Sequence, residues 1–316
     1  MAAVTTDGYK LKITAHVESP EQLGKVKKHG ADGIGLLKAV PFIAGCPPPE
    51  QEERNFSLLL EAGRAAGGKT VTVLLSDPDK DCRDHGAGAP EAGVCRGLRG
   101  VRLCLEQPEV YHPQLRAILR AGAQGRYELA LPMAGHVSEI IRFKEILGGI
   151  RAELEEEGVP HCPPAVGIMA QVPAVIPTIE TIIYESSFFI LDEVFLKHLT
   201  ADHRLPRGED DYLSFYHHAF LLQAQALSGG LLRRKAGARI CGPLVRDPAA
   251  IPVLVGLSFN EIIAPPELIP EIKRIVGSID YPAARMVASK TMSYPSPGQA
   301  REYAWERLLK FKQNSR

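Results

Sequence analysis

Along most of this chain, short apolar runs alternate with longer stretches in which apolar residues recur every three or four positions. The clearest run covers residues 165–173, AVGIMAQVP. It has no helical period, is too short for a helix, and suits a strand buried on both faces. Gln171 is the first polar side chain that such a strand presents at its end. The same pattern predicts strands over 10–15, 31–37, 69–75, 127–132, 165–171, 188–192, 238–242 and 260–264. Helices are predicted over 20–29, 50–66, 108–122, 137–157, 175–184, 210–228, 248–257 and 266–276. Ser19-Pro20-Glu21 marks one start, with a capping serine and a proline in the first turn. Residues 99–105 read equally well as extended or as a short helix. Two irregular segments, 77–98 and 200–209, break the rhythm, and loops of that length are usually functional or mobile.

Eight strand-then-helix units without antiparallel hairpins predict an α/β protein built as a closed (β/α)8 TIM barrel over residues 1–277. No GxGxxG follows the first strand, which argues against a dinucleotide fold. Residues 278–316 form a C-terminal extension. Its 280–297 part is punctuated by prolines, and its 299–312 part is an amphipathic helix with Ala304, Leu308 and Phe311 on one face. That helix is expected to cap the barrel or to join a dimer contact.

Charge changes this picture little. Lys plus Arg and Asp plus Glu are 37 each, so there is no bulk field to attract nucleic acid or an anionic membrane. The start, MAAVTTDGYK, lacks a basic region followed by an apolar core, and no run approaches the length of a membrane span. A cytoplasmic protein is the expectation. The six cysteines, Cys46, Cys82, Cys95, Cys104, Cys162 and Cys241, include no CxxC pair and read as reduced thiols. Asp77, Asp79, Asp81 and Asp84 imitate a calcium loop, but Cys82 and Gly88 stand where glycine and glutamate are needed, so a charged loop is expected. His217 and His218 are placed mid-helix by the pattern, where adjacent side chains diverge and do not share one ion.

Ordered motifs add a family. SPEQLGKVKKHGADGIGLLK, RGVRLCLEQPEVYHPQLRAILRAGAQG, LALPM, AVGIMAQVPAV, ICGPLVRDP and FNEIIAPPELIPEIKRIV together resemble the carboxy-terminal, phosphoenolpyruvate-binding barrel of Enzyme I of the sugar phosphotransferase system. Pyruvate phosphate dikinase and phosphoenolpyruvate synthase share that barrel. The resemblance covers residues 10–276 and implies a site at the C-terminal ends of the strands. On it, a phosphate-binding arginine becomes Lys38, the acid two residues on becomes Val40, and a second arginine becomes Leu74. Arg99 matches a third arginine and is followed by Arg102. A metal-binding glutamate falls on Gln171, and an Asn-Asp pair falls on Asp192 and Glu193, with Glu193 in the metal-binding place. A further arginine falls near His203, with Arg204 beside it. The cysteine that moves a proton on and off the pyruvate methyl carbon matches Cys241, although the usual CGE is here CGP. No THGGxxSH-like phosphohistidine segment occurs in these residues.

Phosphoryl transfer from phosphoenolpyruvate needs positive charge on the phosphate, a hard cation, and an acid for the enolate carbon. Gln171 keeps one ligand oxygen but removes a charge, while Glu193 restores a carboxylate, so Mg²⁺ stays a candidate cofactor. Lys38 is a point charge without the two-pronged geometry of arginine. Each lost charge-assisted contact is worth about 2 kcal/mol, so two weakened positions cost roughly a thousandfold in affinity. The leading expectation is a phosphoenolpyruvate- or pyruvate-binding half-site of a split phosphotransfer system, homodimeric, with a separate phosphohistidine-domain protein as partner. A non-catalytic sensor or scaffold subunit is the alternative, and 2-oxo-acid lyase or aldolase chemistry a further one. Nucleic acid and membrane are not expected partners.

Overall fold

The structure, a computed structural model, describes residues 3–38, 47–77, 98–192, 195, 199, 214–234 and 236–314. A two-residue strand β1 (Ala3–Val4), which the hydrophobic pattern does not announce, pairs antiparallel with β2 (Lys10–Val17). From β2 the chain adds β3 (Ile34–Leu37), β4 (Val71–Leu74), β5 (Tyr127–Leu131), β6 (Ala165–Ala170), β7 (Phe188–Leu191), β8 (Gly237–Ile240) and β9 (Glu261–Ala264). Each is parallel to its predecessor, and β9 returns to β2 through the register Lys12↔Glu261 to Ala15↔Ala264. The sheet therefore closes on itself with eight parallel strands, as the alternation predicts.

The surrounding helices are α1 (Leu23–Lys28), α2 (Pro48–Ala65), α3 (Val101–Glu106), α4 (Pro108–Gly122), α5 (Val137–Glu156), α6 (Ile179–Ile182), α7 (His218–Arg233), α8 (Ala250–Gly256) and α9 (Ile269–Val276). Residues 99–105 resolve as the start of α3. The expected helix over 175–184 shrinks to the 3-10 turn Pro173–Val175 and the single turn α6. Pro177 has no N–H to give, and the Thr178 hydroxyl donates to the Ala174 carbonyl at 2.7 Å. The expected helix over 210–228 instead begins at His218 among the described residues. His217 is its N-cap, accepting the Ala219 N–H at Nδ1 (3.2 Å), so the histidine pair sits at a helix start and not mid-helix.

The proline-punctuated 280–297 stretch, which the pattern leaves unassigned, is mostly helical: α10 (Tyr281–Thr291) starts on Asp280, whose carboxylate accepts the Ala283 N–H at 2.9 Å. Pro282 lies in its first turn, where a missing N–H costs nothing. α11 (Pro297–Asn314) follows, and both helices pack along the barrel's flank on α8. Ala304 and Leu308 are fully buried there and Phe311 partly so, as the amphipathic pattern requires. No described helix is long and apolar enough to cross a membrane.

Two cores share the strands. The larger lies between strands and helices. The smaller fills the barrel interior with Leu36, Ala130, Met169, Phe188, Ile190, Cys241 and Ile263, against which Leu74 packs. Because side chains alternate across each strand, the residues two positions either side of this layer also point inward. Below it, toward the strand N-termini, Arg239 binds Glu128 at 2.6 Å and Glu261 at 3.3 Å, and Thr72 and Thr14 donate to those carboxylates at 2.8 Å. The guanidinium also lies 3.9 Å over the Phe188 ring. Above it, at the strand C-termini, come Lys38, Gln171, Asp192 and Pro265.

Candidate functional site

A cavity of about 160 Å³ opens at that upper end, where a (β/α)8 barrel carries its site. His16, Glu18, Leu36, Lys38, Met169 and Asp192 line it from β2, β3, β6 and the end of β7. Cys241 and Arg246 line it from the β8 side. The space suits a three- or four-carbon acid and is well below a drug-sized site.

Gln171 and Asp192 meet at the strand C-termini beside this cavity. Both are buried, 7 % and 5 % exposed. The Gln171 amide Nε2 donates to Asp192 Oδ2 at 2.9 Å, while its Oε1 accepts the Met133 N–H at 3.1 Å. Met133 reaches that position with φ of 62°, a left-handed backbone unusual for a side-chain-bearing residue. The amide therefore points its donor at the carboxylate and its oxygen at the backbone, an orientation that the two partners set together.

Lys38 sits where β3 ends. Its Nζ is 3.9 Å from Glu18 Oε1, and the same oxygen is 3.9 Å from His16 Nε2. These are long contacts, so Glu18 tempers the positive charge without capturing it. Cys241 is 3 % exposed, and its N–H bonds the Leu191 carbonyl at 3.0 Å, which ties β8 to β7 beneath the cavity. Cys104, by contrast, is buried in the outer core and burial alone pushes its thiol up to about 12, the behaviour of a packing residue.

Arg99 is placed differently. Its Nε and Nη2 both donate to Asp77 Oδ2, at 3.1 and 2.8 Å, and the Gly100 N–H reaches the other oxygen at 3.4 Å. It does not line the cavity, and Asp77 already takes its fork. Arg102 is held by Glu139 at 2.7 Å. Leu74 packs on the interior apolar layer and offers no charge. Val40, Glu193, His203 and Arg204 lie outside the described residues, as do Asp79, Asp81, Asp84 and the cysteines Cys46, Cys82 and Cys95.

Arg246 is the residue that sequence reasoning passed over. It follows Cys241 in ICGPLVRDP, ends the 3-10 turn Pro243–Arg246, and lines the cavity while the residue as a whole is exposed. It is in none of the ion pairs among the described residues. His16 and Glu18 were also readable in principle, since they continue the two-residue period of Thr14 along β2.

The donor set can be tested against Mg²⁺. Among the described residues no three His, Cys, Asp or Glu side chains come together as a cation site. The Gln171 N–H occupies Asp192, and the Gln171 oxygen is occupied by Met133. Mg²⁺ needs oxygen ligands in octahedral array, and the described residues alone do not make one; Glu193, which the resemblance puts in the metal-binding place, lies outside them.

Against known proteins, a family model described as "PEP-utilising enzyme, PEP-binding domain" matches residues 1–281. A multiphosphoryl transfer protein of Xanthomonas campestris is 30 % identical over 95 % of this chain and 36 % of its own length. A phosphoenolpyruvate-protein phosphotransferase of Staphylococcus carnosus is 29 % identical over 88 % of this chain and 49 % of its own. The chain thus spans about a third to a half of the curated relatives it matches. Among solved structures, a citrate lyase from Burkholderia xenovorans superposes with a TM-score of 0.54 at 13 % identity, over 96 % of this chain and 92 % of that one, a likeness of fold alone. With the barrel, its upper cavity and this match in hand, the chain belongs to the family of phosphoenolpyruvate-binding domains of phosphoenolpyruvate-utilising enzymes.

Proposed function

We propose that this barrel binds phosphoenolpyruvate or pyruvate and serves as the phosphoenolpyruvate half-site of a phosphotransfer system whose phosphohistidine domain acts from outside these residues. The observation that carries the reading is the meeting of Lys38, Arg246 and Cys241 in one small cavity at the barrel mouth. The cations hold the anionic end of the acid, and the thiol lies in the wall for the carbon end. As phosphorus leaves the enol oxygen for the histidine, the enolate carbon takes the Cys241 proton and becomes the pyruvate methyl group. Proton–deuterium exchange into that methyl group, followed by NMR with a supplied phosphohistidine domain and Mg²⁺, tests the step. Cys241→Ala is expected to slow it by about a hundredfold or more. Background exchange in the parent protein, unchanged by the substitution, rejects the catalytic role.

A second reading has its own support. Gln171, which the resemblance puts where relatives carry a metal-binding glutamate, spends its amide on Asp192 and Met133, which favours a module that binds the acid without transforming it. Calorimetric binding of phosphoenolpyruvate, pyruvate or oxalate together with background exchange selects this reading.

A further inference from the structure

We propose that the groove between α7 and α10, on the barrel's flank and apart from the cavity at the mouth, is a docking site for an acidic amphipathic helix of a partner protein. From Ala219 to Leu232, α7 carries no charged residue. At 3.6 residues per turn, Leu222, Gln225, Gly229 and Leu232 share one side of it. Leu222 and Leu232 are exposed there, and a Cβ added to Gly229 would meet nothing nearer than the Arg233 guanidinium at 4.0 Å. The outer side of a solvated helix ordinarily carries charge, so a charge-free one over about four turns marks a contact surface. Opposite, α10 lines up Pro282, Arg285, Met286, Ser289 and Lys290 as an exposed ridge. Met286 is 68 % exposed, while Ala284, Val287, Ala288 and Thr291 are buried beneath the ridge. Gly256, Leu257 and Ser258 floor the space between ridge and α7, which is about 300 Å³. On the other side of the ridge a second hollow, of about 340 Å³, is lined by Met286, Tyr303, Arg307, Lys310 and Phe311.

Charge names the occupant. Arg285, Lys290, Arg307 and Lys310 line the ridge and its hollows, and no Asp or Glu does. None of the four is in an ion pair among the described residues. Residues 281–316 hold seven Lys and Arg against two Asp and Glu, a net charge of +5 in a chain that is neutral as a whole. Cations around apolar hollows fit a ligand that alternates carboxylates with apolar side chains, as an amphipathic helix does with anchors at i, i+4 and i+7. Hollows of this size receive single side chains, which a protein partner offers and a lipid surface or a nucleic-acid backbone does not. A second copy of this chain set symmetrically on the groove would bring Arg285 and Lys290 against the same cations.

The test is an NMR titration of the whole chain, labelled on its methionine methyl groups, with a synthetic peptide helix of about four turns that carries Leu at i, i+4, i+7 and i+11 and Glu beside them. The Met286 methyl signal is expected to shift, and those of Met133 and Met169 at the barrel mouth to stay. Arg285→Glu combined with Lys290→Glu, both at exposed positions, is expected to weaken the peptide by about tenfold or more, and a peptide with Lys in place of Glu to bind that variant in its stead. No shift of Met286 with the acidic peptide overturns the proposal. Equal binding of the acidic and basic peptides by the parent protein overturns the assignment of an acidic partner. Tighter binding of phosphatidylserine vesicles or of single-stranded DNA at Met286 gives the surface to lipid or nucleic acid and overturns it too. So does a dimer in sedimentation that Met286→Glu dissociates, which gives the groove to a second copy.

Discussion

Gln171 is held on both sides, by a backbone N–H that can only donate and by a carboxylate that can only accept when ionised. An amide satisfies both; a carboxylate satisfies one and repels the other. The Gln171→Glu protein should therefore lose about 1–3 kcal/mol at neutral pH in the absence of metal. The like-charge contact raises the folded pKa of one carboxylate above its unfolded value. The proton it retains stabilises the folded state at low pH, and that contribution is lost as pH rises through the raised value. Urea denaturation of the variant should show stability falling between about pH 5 and about pH 8, with the parent protein much flatter over the same window. A variant as stable as the parent at the upper end would mean that the Gln171–Asp192 bond carries no weight. The same pair shows what sequence could and could not give. Position 171 was readable because a polar residue ends an unbroken apolar strand, whereas its partners Met133 and Asp192 are 38 and 21 residues away and meet it only once the barrel closes.

At the level of elements, the strands were legible because inward and outward faces are both buried, which leaves a short apolar run between glycine, proline and charge. The shortfalls follow from prolines. Pro177 stops a helix that periodicity alone continues, while Pro282 starts one in a stretch that the pattern left unassigned. Arg246 was hidden for a related reason, since it stands on a four-residue 3-10 turn with no period to place it. The lower barrel layer is another feature that pattern does not reveal. Glu128, Arg239 and Glu261 read as ordinary polar positions in short strands, yet they enclose a buried ion network. Gly35 makes room for it, since a Cβ there would collide with the Thr14 hydroxyl and approach the Glu261 carboxylate. Removing Arg239 leaves the buried Glu261 and the half-buried Glu128 carboxylates without their shared cation. Arg239→Ala is expected to cost about 3–5 kcal/mol in urea denaturation, and replacing Arg239, Glu128 and Glu261 together by apolar residues of similar volume should cost much less. If the triple replacement is as damaging as the single one, packing rather than charge governs that layer.

At the scale of the molecule, the region added after the family match ends at residue 281 is tied to the cavity. Ala284, Val287, Ala288, Ala300, Ala304 and Leu308 belong to the same continuous core as the outer faces of the strands, so the extension is expected to unfold with the barrel. Its polar contact is more pointed. Arg301 on α11 donates from Nε to Asp247 Oδ2 at 2.7 Å, and the buried Tyr216 hydroxyl donates to the same oxygen at 3.2 Å. Burial and the neighbouring Asp247 carboxylate push the Tyr216 phenol upward, which keeps its proton available for this bond. The other Asp247 oxygen accepts the Ala249 N–H at 3.1 Å and starts α8. Asp247 directly follows Arg246, so the last helix fixes the turn from which Arg246 enters the cavity. The Arg301 side chain is 60 % exposed, and an ion pair in that setting contributes within about 1 kcal/mol of stability. Arg301→Ala should therefore leave the urea midpoint nearly unchanged while weakening pyruvate binding severalfold, because a looser turn spreads Arg246 over more orientations and each must be narrowed on binding. The comparison with Arg246→Ala decides the route. If the two substitutions are combined and Arg301→Ala adds a further loss on top of Arg246→Ala, the extension acts on the cavity by another path; no added loss places its whole effect on Arg246.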